Sequence, residues 1–368
     1  MNNKKKFAFA AFYPVLPNIS GSSEVSGSFF RYWPSNNKKF FYITHLRNNN
    51  DNNKKFQQIK IFKENTYFKI ISLISLCYKI IKFLKKTKRP YLIVEGPSWI
   101  FYSYVTITII KFFIPNAKII YHSHSIEYEI RKKFNNKIIS YVTFLLEKKV
   151  FNTSNFSTSV SKTECKKIYS LYKKETIIFE NGIDLDYIKK ITKKKVNYKY
   201  IIYTGSYLYK PNKEAIDVLV KYVMPKILIE HPDIKLIITG GGYQEKKQNH
   251  WLINKGKIKK EELYHYLKNA ECLVTPLLYG SGTRIKIIES LCIGTKIVTT
   301  SIGINGINFL NRKNNNITIT DDIKLFPVSI NKLLKNKNNH TNKKDIMFYR
   351  NQFSMKNLTK KLYKKIIN

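Results

Sequence analysis

Apolar and polar positions alternate along this chain in two repeating patterns. Short continuous apolar runs are typical of strands buried on both faces, and longer stretches with an apolar residue every three or four positions are typical of helices. In the first half, the runs predict strands at residues 7–13, 40–45, 91–94, 118–121 and 156–160. One predicted helix begins at Ser26, and the others cover 67–84, 100–113, 137–151 and 162–172. This order predicts a doubly wound parallel sheet.

The pattern pauses at Asn181-Gly-Ile-Asp184 and a lysine run that ends at Lys195, and then it restarts. The second half predicts strands at 200–204, 234–239, 272–276 and 296–300, and helices at 211–230, 260–268 and 283–293. The sequence therefore predicts two Rossmann-like domains, 1–182 and 183–350. Ligands of such sheets bind at the carboxyl ends of the strands, which predicts an inter-domain cleft lined by those loops.

The predicted helix 67–84 is strongly amphipathic. Its apolar stripe consists of Phe68, Ile71, Ile74, Tyr78 and Ile81. Two interpretations stay open, because such a stripe either packs in a core or lies in the plane of a membrane surface. Lysines interrupt this helix and helix 100–113, so no apolar run reaches the length that spans a membrane.

Composition narrows the class of protein. The chain has 368 residues, of which 43% are hydrophobic, so it is long enough for about two domains with packed cores. Its four cysteines show no paired spacing and no ligand spacing with histidine: Cys77, Cys165, Cys272 and Cys292. We therefore expect free thiols in a reducing compartment and no structural metal.

The charge balance is extreme. Lys and Arg number 66 against 24 Asp and Glu, which gives a formal net charge of +42. This excess favours anionic partners: nucleotide phosphates, anionic lipid head groups or nucleic acid. A general preference for Lys, Asn and Ile would give the same composition without any function. The lysines are scattered over both halves instead of forming one patch with aromatic residues, which argues against nucleic acid as a partner.

The most informative segment covers residues 280–299. A Gly-Ser-Gly turn opens a predicted helix, with Thr283 available as its cap. The turn presents backbone N–H groups and the positive end of the helix, and Arg284 and Lys286 add charge, so this is a predicted seat for a phosphorylated ligand. Glu289 follows on the same face, where it is able to accept hydrogen bonds from ribose hydroxyls. The plainer alternatives are an ordinary helix start and a surface pair between Glu289 and Lys286.

The order of motifs across the chain resembles that of the retaining GT-B glycosyltransferases of the group 1 family. In the second half the resemblance rests on Tyr203-Thr-Gly-Ser206, Lys210-Pro-Asn212, Leu236-Ile-Ile-Thr-Gly240, residues 269–276, Gly282-Thr-Arg-Ile-Lys-Ile-Ile-Glu-Ser-Leu-Cys-Ile-Gly294 and Gly303-Ile-Asn-Gly306. In the looser first half it rests on residues 21–27, Val160-Ser161, Tyr121-His-Ser-His-Ser-Ile-Glu-Tyr128 and Asn181-Gly-Ile-Asp184. Two positions depart from the family pattern. Ser281 stands where the family often has a Glu that binds the donor sugar, and Ser206 stands where many members have Arg.

This resemblance implies transfer of a sugar from a nucleoside-diphosphate sugar, with retention of configuration and without a metal or other cofactor. It implies catalytic roles for His124, Arg284 and Lys286. It implies donor binding by Gly205, Ser206, Lys210, Ser281, Gly282, Thr283 and Glu289. It places Gly21, Gly27 and His122 on the acceptor side or in the cleft, and it implies that a last helix, 351–368, crosses back to the first domain. Lys210 could equally be a solvated lysine, and one of the two histidines could be structural.

The resemblance also implies an acceptor, namely a glycan or a lipid-linked saccharide in the synthesis of a surface polysaccharide or glycoconjugate. We expect the protein in the cytoplasm, and its charge adds the expectation of peripheral attachment to the inner face of an anionic membrane. Two other classes stay open. One is a GT-B relative that binds nucleotide without transferring a sugar, such as an epimerase or a scaffold, and the other is a basic nucleic-acid-binding protein.

Overall fold

The computed structural model describes residues 4–16, 20–46, 54–96, 98–191, 196–244, 249–280, 282–307, 316–335 and 342–367. The chain divides into two compact units, one of Met1–Asn181 together with Met355–Asn368 and the other of Gly182–Ser354. The boundary predicted between residues 182 and 183 lies one residue from the observed division. Residues 351–354, which were predicted as part of the last helix, lie in the second unit.

The first unit is built on a sheet of seven strands. In chain order they are β1 Lys6–Ala11, β2 Lys38–Thr44, β3 Phe56–Lys60, β4 Pro90–Glu95, β5 Lys118–His122, β6 Phe156–Ser159 and β7 Ile177–Ile178. Their order across the sheet is β3-β2-β1-β4-β5-β6-β7, and every neighbouring pair is parallel. The strand order reverses between β1 and β4, and ligands of such sheets bind beside the carboxyl ends at that point.

Helices connect these strands. They are α1 Gly21–Tyr32, α2 Thr66–Leu84, α3 Ile100–Phe113, α4 Glu127–Phe134, α5 Lys137–Thr153 and α6 Lys162–Tyr172. Four of the six begin at a polar side chain that accepts a hydrogen bond from the N–H three residues on: Ser20, Asn65, Asn136 and Ser161. These caps satisfy N–H groups that the helix itself leaves without an acceptor.

The second unit repeats the plan with six strands. They are β8 Tyr200–Thr204, β9 Lys235–Thr239, β10 Leu252–Gly256, β11 Cys272–Thr275, β12 Ile297–Thr299 and β13 Ile317–Ile319. The order across this parallel sheet is β10-β9-β8-β11-β12-β13. The strands β8 and β11 at its centre are fully buried.

The helices of the second unit are α7 Asp186–Lys189, α8 Lys210–Val218, α9 Met224–Glu230, α10 Lys260–Asn269, α11 Ile285–Ile293, α12 Phe326–Lys335 and α13 Lys343–Phe353. The predicted helix 211–230 is divided between α8 and α9 by a π-helical turn, Leu219–Val223. Pro225 follows that turn, and because proline has no N–H to donate one turn back, the backbone widens at this point.

The doubly wound parallel sheets predicted from the sequence are confirmed, and most predicted elements agree with the observed ones to within a few residues. The first helix is an exception, since it begins at Gly21 instead of Ser26. The four strands that the sequence pattern did not predict are the four edge strands, β3, β7, β10 and β13. An edge strand is partly exposed, so it lacks a continuous apolar run; β3 reads Phe-Gln-Gln-Ile-Lys.

The predicted last helix is two helices. α13 packs against α11 and ends at Phe353, and Ser354 then forms an isolated parallel bridge with Ile183. The helix that follows, α14 Met355–Ile367, packs on α1 in the first unit. Its Tyr363 ring lies 5.2 Å from the ring of Trp33, centroid to centroid.

The helix α2 carries two apolar faces. Its core face consists of Leu73, Leu76, Cys77, Ile80 and Leu84. Most of the stripe identified in the sequence lies on the other face, where Ile71 is 51%, Ile74 73% and Tyr78 63% exposed. The interpretation of that stripe as a core contact is therefore wrong for these three residues, because a different set of apolar positions on the same helix fills the core. No helix in the described ranges is both long enough and apolar enough to cross a membrane.

Candidate functional site

The loops that follow the central strands of the second unit meet around one lysine. Lys286, in the first turn of α11, extends to the first turn of α8, where its Nζ lies 3.1 Å from Oδ1 of Asn212. The same Nζ lies 4.2 Å from the centre of the Tyr203 ring, a cation–π contact. Tyr203 in turn donates its hydroxyl hydrogen to Asn212 Oδ1 at 2.8 Å. The structure thus brings together residues 203–212 and the start of α11, as the motif order implied.

Gly205 allows this close approach. A Cβ atom at Gly205 would lie 2.8 Å from Lys286 Nζ and 2.7 Å from Asn212 Nδ2, and the backbone there has a φ of +143°. Gly240, at the end of β9, packs against it: a Cβ at Gly240 would lie 2.3 Å from the carbonyl oxygen of Gly205. Both positions therefore need glycine, for space and for conformation.

At the start of α11, some backbone N–H groups have no acceptor among the residues that the structure describes. The internal hydrogen bonds of the helix begin with the N–H of Ile287, which donates to the carbonyl of Arg284. Among the described residues, the N–H groups of Ile285 and Lys286 therefore remain available to a ligand. Thr283 was predicted to cap this helix and does not. The N-cap residue is Arg284, no side chain caps the helix, and the Thr283 hydroxyl is buried without a described partner.

Arg284 folds back over its own loop. Its Nη1 donates to the carbonyl of Gly282 at 2.6 Å. A Cβ at Gly280 would lie 2.5 Å from its Nη2, and both Gly280 and Gly282 have positive φ. The guanidinium thus holds the turn that opens α11, and its charge stays beside Lys286.

Burial, and after it the positive charge of Arg284, lower the pKa of Lys286 to about 7. No described carboxylate lies within ion-pair distance of this ammonium. A cation in such surroundings gains more from an approaching anion than a solvated lysine does. The electrostatics of this lysine are therefore suited to a phosphate ligand.

Glu289 lies one turn further along α11, and it is buried. Its Oε1 accepts hydrogen bonds from Lys260 Nζ and, at 3.3 Å, from the Tyr264 hydroxyl, both on α10. The alternative surface pair with Lys286 is not formed. In the described part of the chain no group donates to the other oxygen, Oε2. Lys260 and Tyr264 therefore orient the carboxylate and leave one oxygen for a ligand.

The remaining donor-side residues differ in their surroundings. Ser206 lies in the turn after β8, where its Oγ donates to the carbonyl of Gly241 at 3.3 Å and its own carbonyl accepts from Asn212. Lys210 begins α8 and is exposed. The predicted contribution of Ser281 lies outside the described residues.

A second cluster of polar side chains lies in the first unit. Glu95 ends β4 and His122 ends β5, and the two residues are paired in the sheet register. Oε2 of Glu95 lies 3.2 Å from His122 Nδ1 and 3.0 Å from His124 Nε2. Ser26, on α1, donates to the same oxygen at 2.5 Å, and its Oγ lies 2.6 Å from the hydroxyl of Tyr13. Side chains of β5, of the loop that follows it and of α1 thus converge on one carboxylate.

Glu95 is completely buried. Burial alone would raise the pKa of Glu95, but the charge of His122 and the hydrogen bonds from both imidazoles hold it well below its usual range. Burial and the neighbouring His122 lower the pKa of His124 to about 4, against the opposing effect of Glu95. At neutral pH this cluster therefore contains an ionised carboxylate and a neutral His124.

The side chains of the two histidines differ in their exposure to solvent. His122 is 1% exposed, and its ring lies 5.1 Å from that of Phe29 and 5.0 Å from that of Phe179. His122 was predicted to face the acceptor side, but its ring contacts Glu95 and these aromatic rings instead of an open surface. His124 is partly exposed, at 10% of its side chain. Among the described residues, Glu95, His122 and His124 are the one group whose ligand atoms, within 4.8 Å of one another, could hold a metal ion.

Gly21 and Gly27, which the resemblance placed on the acceptor side or in the cleft, both lie in α1. Gly21 is the exposed first residue of the helix, and Gly27 is buried in its middle. Gly27 lines a cavity of about 600 Å³ together with Arg31 and Lys38. Lys38 is the first residue of β2, so this cavity extends toward the amino ends of the strands, away from the edge that carries Glu95 and His122.

Sequence reasoning missed several residues of both clusters. They are Tyr203, Asn212, Lys260 and Tyr264 in the second unit, and Tyr13, Ser26 and Glu95 in the first. One usable signal existed: Glu95 is an acidic residue at the carboxyl end of a buried strand, next to the strand that ends in His122. The others contact the sites from helices or loops, and no spacing in the sequence indicates those contacts.

Residues 198–336 match a family model described as glycosyl transferases group 1. The matched segment begins just before β8 and ends just after α12, so it contains the whole cluster around Lys286 and Glu289. Among curated proteins, none matches this chain.

Solved structures match nearly the whole chain. Sucrose-phosphate synthase from Thermosynechococcus elongatus has a TM-score of 0.74 at 13% identity, with 99% of each chain covered. A glycosyltransferase from Rickettsia africae ESF-5 has a TM-score of 0.68 at 14% identity, again with 99% of each chain covered. Anabaena HepE, solved in complex with UDP and glucose, has a TM-score of 0.71 at 8% identity, with 98% of this chain and 99% of that chain covered. At such identities the similarity shows the fold, and it confirms the predicted GT-B class.

We expect Gly205→Ala to destabilise the protein by about 2–4 kcal/mol, because the new Cβ requires a strained backbone and displaces Asn212 or Lys286. Urea unfolding measures this loss. The matched control is Gly241→Ala, where φ is not positive and a Cβ meets nothing within 4 Å. That variant should stay within about 0.5 kcal/mol of the parent. Equal losses in the two variants would contradict the packing described for Gly205.

Proposed function

We propose that this chain, whose residues 198–336 match the glycosyl transferases group 1 model, transfers a sugar from a nucleoside-diphosphate sugar to an acceptor hydroxyl, with retention of configuration. The observation that carries this proposal is the arrangement on α11. Its first turn offers free N–H groups and Lys286 to a diphosphate, and Glu289 offers Oε2 to the hydroxyls of a ribose.

The main chemical demand of the reaction is to stabilise the charges that develop as the donor bond breaks. As the bond between the sugar and the phosphate oxygen breaks, negative charge develops on the diphosphate and positive charge on the sugar ring. Lys286, Arg284 and the N-terminus of α11 stabilise the departing diphosphate without a metal, and Lys210 adds charge from the exposed start of α8. The acceptor hydroxyl approaches from the side of the leaving group, and the departing phosphate oxygen takes its proton. No carboxylate nucleophile is then required.

The donor is assigned to the second unit and the acceptor to the first. The UDP and glucose in the HepE structure support a uridine diphosphate sugar as the donor. Gly205 and Ser206 let the loop after β8 approach the diphosphate, with Gly282 and Thr283 on the other side. In the first unit, His124 is the partly exposed histidine and the group we assign to a substrate hydroxyl. Gly21 lies at the exposed start of α1 and remains an acceptor-side candidate.

The acceptor we favour is a glycan carried by a lipid, with the protein bound to the cytoplasmic face of an anionic membrane. Exposed apolar side chains on two helices of the first unit support this. They are Tyr67, Ile70, Ile71, Ile74 and Tyr78 on α2, and Ile138, Ile139, Tyr141, Val142 and Leu145 on α5. Both helices pack against α3, and both also carry lysines. Apolar side chains beside lysines match the surface of an anionic bilayer, where each lysine contributes about 1 kcal/mol.

UDP should raise the melting temperature of the protein, because a ligand that binds only the folded state at 100 times its Kd adds about 2.7 kcal/mol of stability. Glu289→Ala should abolish this response, since ribose loses its acceptor. Glu262→Ala, which removes an exposed acid of α10, should keep it. A full response in Glu289→Ala would overturn the assigned donor site. With a panel of nucleotide sugars the same measurement identifies the donor, and NMR of the anomeric proton in the product tests retention.

UDP affinity should fall as the pH rises from 7 to 9. Lys286 has a pKa of about 7 without ligand, and a bound diphosphate raises that pKa, so binding takes up a proton in this range. The expected loss is up to about tenfold per pH unit. Isothermal titration at several pH values measures it. Lys286→Met should bind more weakly with little pH dependence, and Lys210→Met, at an exposed lysine, should keep the slope. A flat profile in the parent protein would be the contrary result.

The protein should float with anionic vesicles and not with neutral ones. The double variant Ile74→Glu/Ile138→Glu places acids in both apolar rows, at side chains 73% and 74% exposed, and should reduce flotation about tenfold or more. Ile229→Glu is the control, because Ile229 is 82% exposed but lies in the second unit. The proposal that these two helices bind the membrane would be refuted by equal flotation with both vesicle types. An equal loss of flotation in the Ile229→Glu control would also refute it.

A further inference from the structure

We propose that Glu95 is a positioning residue, which holds His124 in the tautomer protonated on Nε2 and so presents Nδ1 as a bare hydrogen-bond acceptor to a substrate hydroxyl. The inference rests on the proposed function for the identity of that hydroxyl, which belongs to a sugar. The proton positions follow from the hydrogen-bond distances of the cluster together with an ionised Glu95 and a neutral His124.

The first step concerns which atoms carry hydrogen. An ionised carboxylate has acceptors only, so each group within hydrogen-bond distance of Glu95 has to be a donor. His122 therefore carries its hydrogen on Nδ1, and His124 carries its hydrogen on Nε2. Ser26 supplies a third donor, and because its only hydrogen is directed to Glu95, the hydroxyl of Tyr13 donates to Ser26. The donors and acceptors then form one consistent chain.

The second step concerns the free nitrogen. A neutral imidazole has one N–H and one lone pair, so a His124 protonated on Nε2 has its lone pair on Nδ1. No described group donates to that atom. His124 is also the member of the cluster with the larger exposed side chain, whereas Glu95 is fully buried. The ring is consequently able to accept a hydrogen bond from a ligand and unable to donate one.

The third step concerns rigidity. The ring of His122 packs against the touching pair Phe29 and Phe179, and it lies 4.2 Å from the ring of His124, centroid to centroid. His122 thereby supports both Glu95 and His124 from the interior, which accounts for a second histidine two residues away. A site of this kind keeps the acceptor nitrogen in place before a substrate arrives.

The tautomer is directly measurable. Long-range proton–nitrogen correlation spectra of the ¹⁵N-histidine-labelled full chain distinguish protonated from bare ring nitrogens, with His124 assigned from the spectrum of His124→Gln. We expect a protonated Nε2 and a bare Nδ1 in the parent protein between pH 6 and 8. In Glu95→Gln the amide offers a single acceptor oxygen, and the His124 signals should shift toward a mixture of tautomers. A parent His124 protonated on Nδ1 would overturn the proposal whether or not the protein transfers sugars.

The kinetic test separates positioning from general damage. Glu95→Gln should lower the kcat of transfer on the order of 10- to 100-fold and leave the affinity for UDP unchanged, because UDP is assigned to the second unit. Glu129→Gln is the matched control, because Glu129 is a partly exposed acid of α4 that pairs with Lys167 away from the cluster, and it should change kcat less than about threefold. In the His124→Ala background, Glu95→Gln should cause no further loss in kcat. Independent, multiplying losses would overturn the proposal.

One further measurement tests the competing chemistry of the cluster. Addition of Zn²⁺ alone, with the same spectra, should leave the His124 ring signals unchanged. A stoichiometric shift of the His122 and His124 signals, lost in Glu95→Gln, would show that the three residues bind metal and would reject the hydrogen-bonded arrangement. A protein without transferase activity but with the expected tautomer would refute the proposed function and leave the role of Glu95 in place.

Discussion

A carboxylate taken out of water needs a hydrogen-bond donor for each oxygen, and this constraint organises the first unit. Leaving one buried and unpaired costs several kcal/mol. Glu95 obtains its donors from residues on three other strands, helices or loops. Glu147 obtains them from the N–H groups of Glu127 and Tyr128 at the start of α4, and Glu127 accepts the N–H of Ile100 at the start of α3. The loop that carries His124 is therefore fixed at both ends by buried acids.

In the second unit the central group is a cation, Lys286, and it is not paired with the nearby acid. Lys286 is held against Asn212 and Tyr203, both neutral, and the nearby carboxylate of Glu289 is bonded to Lys260 instead. Among the residues that the structure describes, Lys286 is thus a partly buried cation with no acid in ion-pair distance, and Glu289 is an oriented acid with no donor to Oε2. Both groups complement a nucleoside diphosphate. Its phosphates are stabilised by a cation such as Lys286, and its ribose hydroxyls donate to an acceptor such as Glu289 Oε2. The glycines at 205 and 240 make the arrangement possible, because any Cβ would fill the space between the two loops.

The sequence pattern predicted the central strands of both sheets but not their edge strands, for one physical reason. Strands such as β8 and β11 are buried on both faces and need continuous apolar runs, whereas β3 and β10 have exposed residues and tolerate Gln, Asn and Lys. The site shows the same division. Gly205 and Lys286 lie in local motifs with fixed spacing, but Lys260 contacts Glu289 from 29 residues away and Glu95 contacts His124 across 29 residues. Such pairings depend on tertiary packing. The predicted Thr283 cap also failed, since the N-cap residue of α11 is Arg284 and no side chain caps the helix.

The net charge of the chain does not by itself select a ligand. Of its 24 acidic residues, six are buried in the described structure: Glu24, Glu95, Glu127, Glu147, Asp184 and Glu289. Surface acids are replaced by lysine at little cost, but a buried acid with several donors is not, since its loss would leave those donors unpaired. A general preference for lysine is compatible with the exposed surface, whereas these six buried acids are tied to the groups that surround them. The field of +42 charges is screened beyond about 10 Å at 0.1 M salt, so it attracts any anion alike. Selection of a diphosphate attached to a ribose has to come from contacts at short range, and Lys286 with the oriented oxygen of Glu289 provides both of them.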